Sequence, residues 1–283
     1  MPRRAPAYAM HTATLPPAGL RAEQLSVSLA GVNILQQLDV SFPAGKVSAL
    51  CGPNGCGKST LLKTLAGLIK PVGGHAWLGE EAVSSLSPAE RARRMAMLAQ
   101  SSLTPAGMTV AELVACGRFV HTGLGERVSR EDQRWIDWAI STTELDALRE
   151  RELAALSGGE RQRAWIAMAL AQGGRVLLLD EPTTFLDVRH QIEVLQLVRA
   201  LNHSHGLTVV WVLHDLNQAA AFSDHMVLMQ AGRIAAAGSP AEVATPATLE
   251  AVFGVPMWRG LVDGQPVCLP RLASQPSEAA ACV

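Results

Sequence analysis

The sequence predicts an α/β protein built on a largely parallel sheet. The segments "KVSALC" (46–51), "RVLLLD" (175–180) and "LTVVWVLH" (207–214) are rich in Val, Leu and Ile and are separated by helical patterns. Strands that read as continuous apolar runs between helices are those of a parallel sheet buried on both faces. The first of them runs straight into a glycine-rich loop followed by a helical pattern, the arrangement of a phosphate-binding strand–loop–helix unit. Between about residues 101 and 155 the pattern is helix after helix with no strand signal, which reads as a helical insertion into the core.

The elements follow in order. Residues 1–19 contain arginines and prolines but no apolar segment of signal-peptide length, and are expected to form a flexible leader. Residues 24–42, "QLSVSLAGVNILQQLDVSF", alternate and turn at Ala30-Gly31, which predicts an antiparallel β segment attached to the core. In "REDQRWIDWAISTTELDAL" the residues Trp135, Trp138, Ala139 and Thr142 recur at i, i+3, i+4 and i+7. That is one helix face, and the tryptophans are expected to be core packing. Residues 261–283 are expected to form a C-terminal tail with one short strand.

Composition narrows the function classes. With 283 residues the chain can bury a substantial core, here one large domain with an inserted subdomain. It carries 24 basic and 25 acidic residues, a formal net charge of -1 with no long run of either sign, so no nucleic-acid partner is expected. The apolar stretch "GLTVVWVL" from Gly206 is far short of the roughly 20 residues a membrane span needs. A soluble chain is expected, with any membrane work shared with another polypeptide. The five cysteines form no CxxC or Cys/His framework, which argues against zinc and for reduced thiols in the cytosol.

"CGPNGCGKST", residues 51–60, fits G-x-x-x-x-G-K-[ST]. Gly52, Gly55 and Gly57 let the backbone turn successive N–H groups toward phosphate oxygens, and the helix N-terminus adds about half a positive charge there. Gly52, Pro53, Asn54, Gly55, Cys56, Gly57, Lys58, Ser59 and Thr60 are therefore the candidate nucleotide-binding residues. Lys58 would reach the phosphates and the Ser59 hydroxyl would take Mg²⁺. "RVLLLDEP" ends a strand with Asp180 and Glu181, where open α/β sheets bind ligands. Asp180 can hold Mg²⁺ through water and Glu181 can polarise an attacking water; the alternative is that both merely cap the next helix. His214 ends "VVWVLHD" and Gln100 ends "MAMLAQ". Read alone, a strand-end histidine is more often a satisfied structural residue, and Gln100 is a weaker signal still.

"LSGGERQ", Leu156 to Gln162, carries the capping pair Ser157 and Glu160 around two glycines. The same end residues recur in "SPAE" at 87–90 and 239–242 and in "TVAE" at 109–112, without glycine. Each glycine in a helix costs about 1 kcal/mol relative to alanine. The bare start is expected to expose free N–H groups to a phosphate, which makes Ser157, Gly158, Gly159 and Glu160 candidate nucleotide contacts.

Taken together, "GPNGCGKST", Gln100, "LSGGERQ", "VLLLDEP", "TTFLD" and "VLHD" resemble the Walker A loop, Q-loop, signature, Walker B, D-loop and H-loop of ABC-type ATPases. The resemblance covers about residues 20–260. It implies a P-loop NTPase (ABC-type ATPase) core with an antiparallel β subdomain, in residues 20–100 and 156–260, and an inserted α-helical subdomain at about 101–155. It further implies ATP and Mg²⁺ as cofactors, with Ser59, Gln100 and Asp180 on the metal. Lys58, Gln100, Glu181 and His214 would be the catalytic residues, with Glu181 as general base, and Asp187 would communicate across the interface. Two chains would form a head-to-tail homodimer, each ATP lying between one Walker A loop and the opposite signature. Two positions depart from the family pattern: Leu29 stands where many relatives have an adenine-stacking aromatic, and Phe185 stands where the D-loop usually has a small residue.

The stretches 103–121 and 156–172 look like the ATPases of iron-siderophore importers of the ferric-hydroxamate type. That resemblance implies integral-membrane permease subunits, a periplasmic or extracellular substrate-binding protein reached through the permease, and a peripheral place on the cytoplasmic face of a bacterial inner membrane. Vitamin B12 or haem import is the near alternative. A soluble ABC ATPase acting on DNA or ribosomes is the alternative of another class, against which stand the absence of sustained heptads and the single cassette. A P-loop small-molecule kinase would leave "LSGGERQ" and His214 unexplained.

Overall fold

The central sheet has six strands in the order β10-β9-β3-β8-β7-β6. They are β3 (Val47–Cys51), β6 (Met95–Leu98), β7 (Val176–Leu179), β8 (Thr208–Val212), β9 (His225–Gln230) and β10 (Arg233–Gly238). All neighbours pair in parallel except β10, which runs antiparallel to β9. The computed structural model describes residues 18–100, 106–122, 128–262 and 264–271. Most of the leader expected at 1–19, part of the helical insertion, the start of the importer-like stretch at 103–105 and most of the tail lie outside these residues.

The three apolar segments are β3, β7 and β8, and every residue of these strands is buried. Period-2 alternation divides them between two cores. Val47, Ala49, Cys51, Leu177, Leu179, Val209 and Trp211 face one, while Leu50, Val176, Leu178, Val210 and Val212 face the other. The second core is closed by helix α1 (Lys58–Leu65) and by an antiparallel sheet β2-β1-β4-β5. In that sheet β1 (Leu20–Leu29) and β2 (Val32–Phe42) turn at Ala30-Gly31, as their alternation predicts, and β4 (Gly73–Leu78) and β5 (Glu81–Ala82) extend it.

The first core is covered by helices later in the chain. Helices α3 (Val110–Cys116) and α4 (Arg130–Thr142) lie on α5 (Gly158–Ala171), after the short α2 (Pro88–Arg94). Trp135 and Trp138 are buried on α4 with ring centroids 5.5 Å apart at 86°, so the stripe is packing. A buried ion pair fixes this helical layer: Arg118 Nε donates to Asp132 Oδ1 at 2.8 Å and Arg118 Nη1 to the Ala171 carbonyl at 2.7 Å. Helices α6 (Val188–His205), α7 (Leu216–Phe222), α8 (Pro240–Val243) and α9 (Pro246–Phe253) follow.

The chain then forms a hairpin of β11 (Met257–Val262) and β12 (Gln265–Pro270), with β12 packed on α7. The expected boundary at residue 260 falls inside β11, and the single short strand expected there is a two-stranded element. The Ser/Thr-x-x-Glu segments at Ser87, Thr109, Ser157 and Ser239 all form capping boxes. A fifth, Ser129 with Asp132, was hidden by its Asp at the third helical position.

Candidate nucleotide site at the carboxyl ends of the sheet

Because β3, β8, β7 and β6 are adjacent and parallel, the residues that follow them emerge along one edge, where ligands bind open α/β sheets. That edge gathers the phosphate loop after β3, His214 after β8, Asp180 and Glu181 after β7, and Gln100 after β6.

Sterics dictate two of the loop's glycines. Gly52 has φ 150°, and a Cβ there would stand 2.2 Å from the Met229 carbonyl oxygen. Gly57, the N-cap of α1, has φ 106°, and its Cβ would meet Leu35 Cδ2 at 2.8 Å. The loop ends with the buried Lys58, whose Nζ donates to the carbonyls of Gly52 at 2.7 Å and Pro53 at 3.0 Å. Among the described residues no carboxylate lies within ion-pair distance of this ammonium. A buried charge satisfied only by two neutral carbonyls is suited to receive an anion. The flanking thiols are not reactive candidates: burial pushes Cys51 up to about 12 and Cys56 also upward.

Ser59 Oγ donates to Asp180 Oδ1 at 2.9 Å, and Asp180 is buried, which raises its carboxyl above the usual range. Two hard oxygens thus meet at the start of α1, with the amide of Gln100 next along the edge. Oxygen donors in small number suit Mg²⁺, which keeps several waters and shares phosphate oxygens. Ser59 and Asp180 therefore fit that ion, while Gln100 is bonded through its amide nitrogen to the neighbouring Glu181.

Beside them Glu181 is held from three sides. His214 Nε2 lies 2.7 Å from its Oε1, while Oε2 accepts from Gln100 Nε2 at 2.6 Å and from Thr184 Oγ1 at 3.0 Å. Glu181 also has φ 55°, a left-handed conformation that non-glycine residues rarely adopt. Such a carboxylate is pre-oriented and can polarise a water at the mouth of the phosphate loop. The structure thus brings together Lys58, Ser59, Gln100, Asp180, Glu181 and His214. Thr184 escapes a reading of the sequence, because a second threonine after Asp-Glu-Pro carries no signal until the turn folds back.

The signature segment stands apart. Among the described residues no hydrogen bond joins Ser157, Gly158, Gly159 or Glu160 to this cluster. Ser157 N donates to Glu160 Oε2 at 2.8 Å, and hydrogen bonds to the carboxyl from the Ser157 backbone and side chain hold it below the usual range, while Glu160 N donates to Ser157 Oγ at 3.3 Å. Gly158 is exposed, but Gly159 is buried, and a Cβ at 159 would lie 2.4 Å from His190 Cδ2. The two glycines therefore differ: only Gly158 is open to solvent, and Gly159 is bare also because helix α6 packs on it. Asp187, the N-cap of α6, accepts from His190 N at 2.9 Å and lies 2.8 Å from its Nδ1. Phe185, just before, is 96% exposed with φ 66°.

Residues 35–184, more than half of the chain, match the family model described as ABC transporter. The chain belongs to the ABC transporter family. Among its relatives is the ferric enterobactin transport ATP-binding protein of Escherichia coli (strain K12), 43% identical over 266 residues, 93% of this chain and 97% of that protein. The iron(3+)-hydroxamate import ATP-binding protein of Bacillus subtilis (strain 168) is 46% identical over 236 residues, 83% of this chain and 88% of that protein. Of solved structures, an inward-facing putative metal-chelate type ABC transporter superimposes with TM-score 0.79 at 29% identity, covering 90% of this chain and 98% of that one. A dimeric ATP-binding cassette, MJ0796, bound to ADP and Pi superimposes with TM-score 0.68 at 25% identity, covering 78% and 98%. This ABC protein is thus an ATPase, and no described helix is long and apolar enough to cross a membrane.

Proposed function

We propose that this ABC ATPase energises the import of ferric siderophores, working as a head-to-tail homodimer beneath integral-membrane permease subunits on the cytoplasmic face of the inner membrane. A periplasmic or extracellular binding protein would deliver cargo to the permease. The observation that carries the ATPase mechanism is Glu181 held between Gln100 and His214, which follow two different strands of the sheet. The names of the two relatives carry the cargo. One is for enterobactin and one for hydroxamate, so ferric siderophore is the substrate class and hydroxamate one member of it.

In this mechanism the backbone N–H groups of Asn54, Gly55, Cys56, Gly57 and Thr60 cradle the phosphates, Gly52 and Pro53, which has no N–H, shape the loop, and Lys58 leaves its two carbonyls to neutralise the terminal phosphate. Mg²⁺, held by Ser59, Asp180 and Gln100, would supply charge neutralisation. Glu181 orients and deprotonates the attacking water, and His214 fixes the carboxylate and contacts the terminal phosphate. Ser157, Gly158, Gly159 and Glu160 of the second copy close the site with helix N-terminal donors. Catalysis of this kind is mostly positioning and charge stabilisation.

The test of cargo is uptake by cells with and without the chain, supplied in turn with iron-labelled hydroxamate, iron-labelled enterobactin, haem and vitamin B12. Loss confined to the ferric siderophores is expected. Loss of haem or vitamin B12 uptake with siderophore uptake intact would overturn the assignment.

A further inference from the structure

Gln191 lies in the first turn of α6, and its side-chain amide makes three hydrogen bonds. Its Nε2 donates to the carbonyls of Leu186 at 3.0 Å and Thr183 at 3.4 Å, the two ends of the turn that displays Phe185. Its Oε1 accepts from Gln218 Nε2 at 2.7 Å. Gln218 is on α7, whose N-cap is Asp215, the residue after His214, and its backbone N–H donates to Asp215 Oδ1 at 2.9 Å.

These contacts close a ring that begins and ends on one carboxylate. From Glu181 it passes to His214 at 2.7 Å and along the backbone to Asp215. From there it runs through Gln218 and Gln191 to the Thr183 and Leu186 carbonyls, and the enclosed Thr184 donates its hydroxyl back to Glu181 at 3.0 Å. Within the ring both Glu181 and Phe185 hold left-handed backbone conformations. Strained conformations persist only where their surroundings over-determine them. The surroundings here are Thr184 on one side and Gln191 on the other.

We propose that Gln191 and Gln218 are positioning residues for hydrolysis: they lock the turn 183–186 so that Thr184 keeps Glu181 aimed at the water. Neither touches the nucleotide site, so they act on turnover and not on nucleotide binding. The inference rests on the reading of Glu181 as general base.

The experiment is a double-mutant cycle in the full-length chain with Gln191→Met, Gln218→Met and both together. Methionine keeps length and helix propensity while removing every side-chain hydrogen bond and leaving the backbone ones in place. Steady-state ATP hydrolysis, single-site ATP affinity and Tm are read for each, with Glu181→Gln alongside. Each single change is expected to lower kcat about tenfold, since small misplacements of a catalytic group are costly. KM and ATP affinity should stay within about twofold, and the double variant should fall no further than the worse single one, because one relay breaks only once. Unchanged kcat in Gln218→Met, singles whose effects multiply, or a raised KM at constant kcat would overturn the proposal. If Gln191→Met does not fold, Gln218→Met, on the neighbouring helix, decides by the same criteria. Normal hydrolysis by Glu181→Gln would remove the general base itself. A blocked Glu181→Gln beside two unaffected glutamine variants would remove only the relay.

Discussion

Gly159 packs face to face with His190: a Cβ on the one would stand 2.4 Å from Cδ2 of the other and 2.9 Å from Cγ. The signature helix and the helix that follows the D-loop are therefore fitted together within one chain. A Cβ on the neighbouring Gly158 would meet only Leu186 Cδ2, at 3.1 Å, the end of a flexible side chain. Gly159→Ala should thus cost about 1–3 kcal/mol through overpacking. Gly158→Ala should change stability by less than about 1 kcal/mol, because helix propensity offsets the mild crowding, yet it should depress hydrolysis. Thermal unfolding and ATPase assays on the two variants check this; equal loss of stability in both would contradict the distinction.

The buried pair of Arg118 and Asp132 gives a pH dependence. Burial alone would raise the Asp132 carboxyl, but hydrogen bonds from Ser129 and Arg118 outweigh it and hold the carboxyl below the usual range. A carboxyl depressed on folding stabilises the fold above its unfolded value of about 3.9, and that contribution is lost as pH falls through the lower folded value. Asp132→Asn should therefore lower Tm sharply at neutral pH, by the equivalent of about 3–5 kcal/mol, because Arg118 is left buried without its carboxylate. The gap between the two proteins should narrow as pH is lowered through about 4 toward 3. A gap that is constant over that range would contradict the assignment.

Phe185 contributes little to the isolated chain and costs it strain. With 96% of its surface exposed and φ 66°, it loses no packing when replaced by glycine, which adopts that conformation freely. Phe185→Gly should stabilise the isolated chain by about 1 kcal/mol in denaturant unfolding. A loss of stability would mean that the phenyl ring holds a contact within the chain.

Legibility in the sequence follows from how local each signal is. The strands β3, β7 and β8 are continuous apolar runs and could be read directly. Strand β6 has only four residues, "MAML", and β10 is rich in alanine, so neither announces itself although both belong to the same sheet. The phosphate loop, Asp180 and Glu181 carry fixed spacings at strand ends and were readable residue by residue. Thr184, Gln191 and Gln218 were not, because each becomes meaningful only when two helices and a turn meet in space. The reason for Gly159 is hidden in the same way, since its neighbour His190 is 31 positions further on.

That each nucleotide site is shared between two copies is tested most directly by Ser157→Arg, measured for both ATP hydrolysis and single-site ATP affinity. The substitution removes an N-cap, worth about 1 kcal/mol, and puts a long cation on the exposed start of the signature helix, away from the Lys58 and Glu181 cluster of its own chain. Hydrolysis should be abolished while ATP affinity stays within about twofold of the unsubstituted chain, since only the contact across the dimer is lost. Unimpaired turnover, or loss of ATP affinity in the single chain, would contradict the shared site.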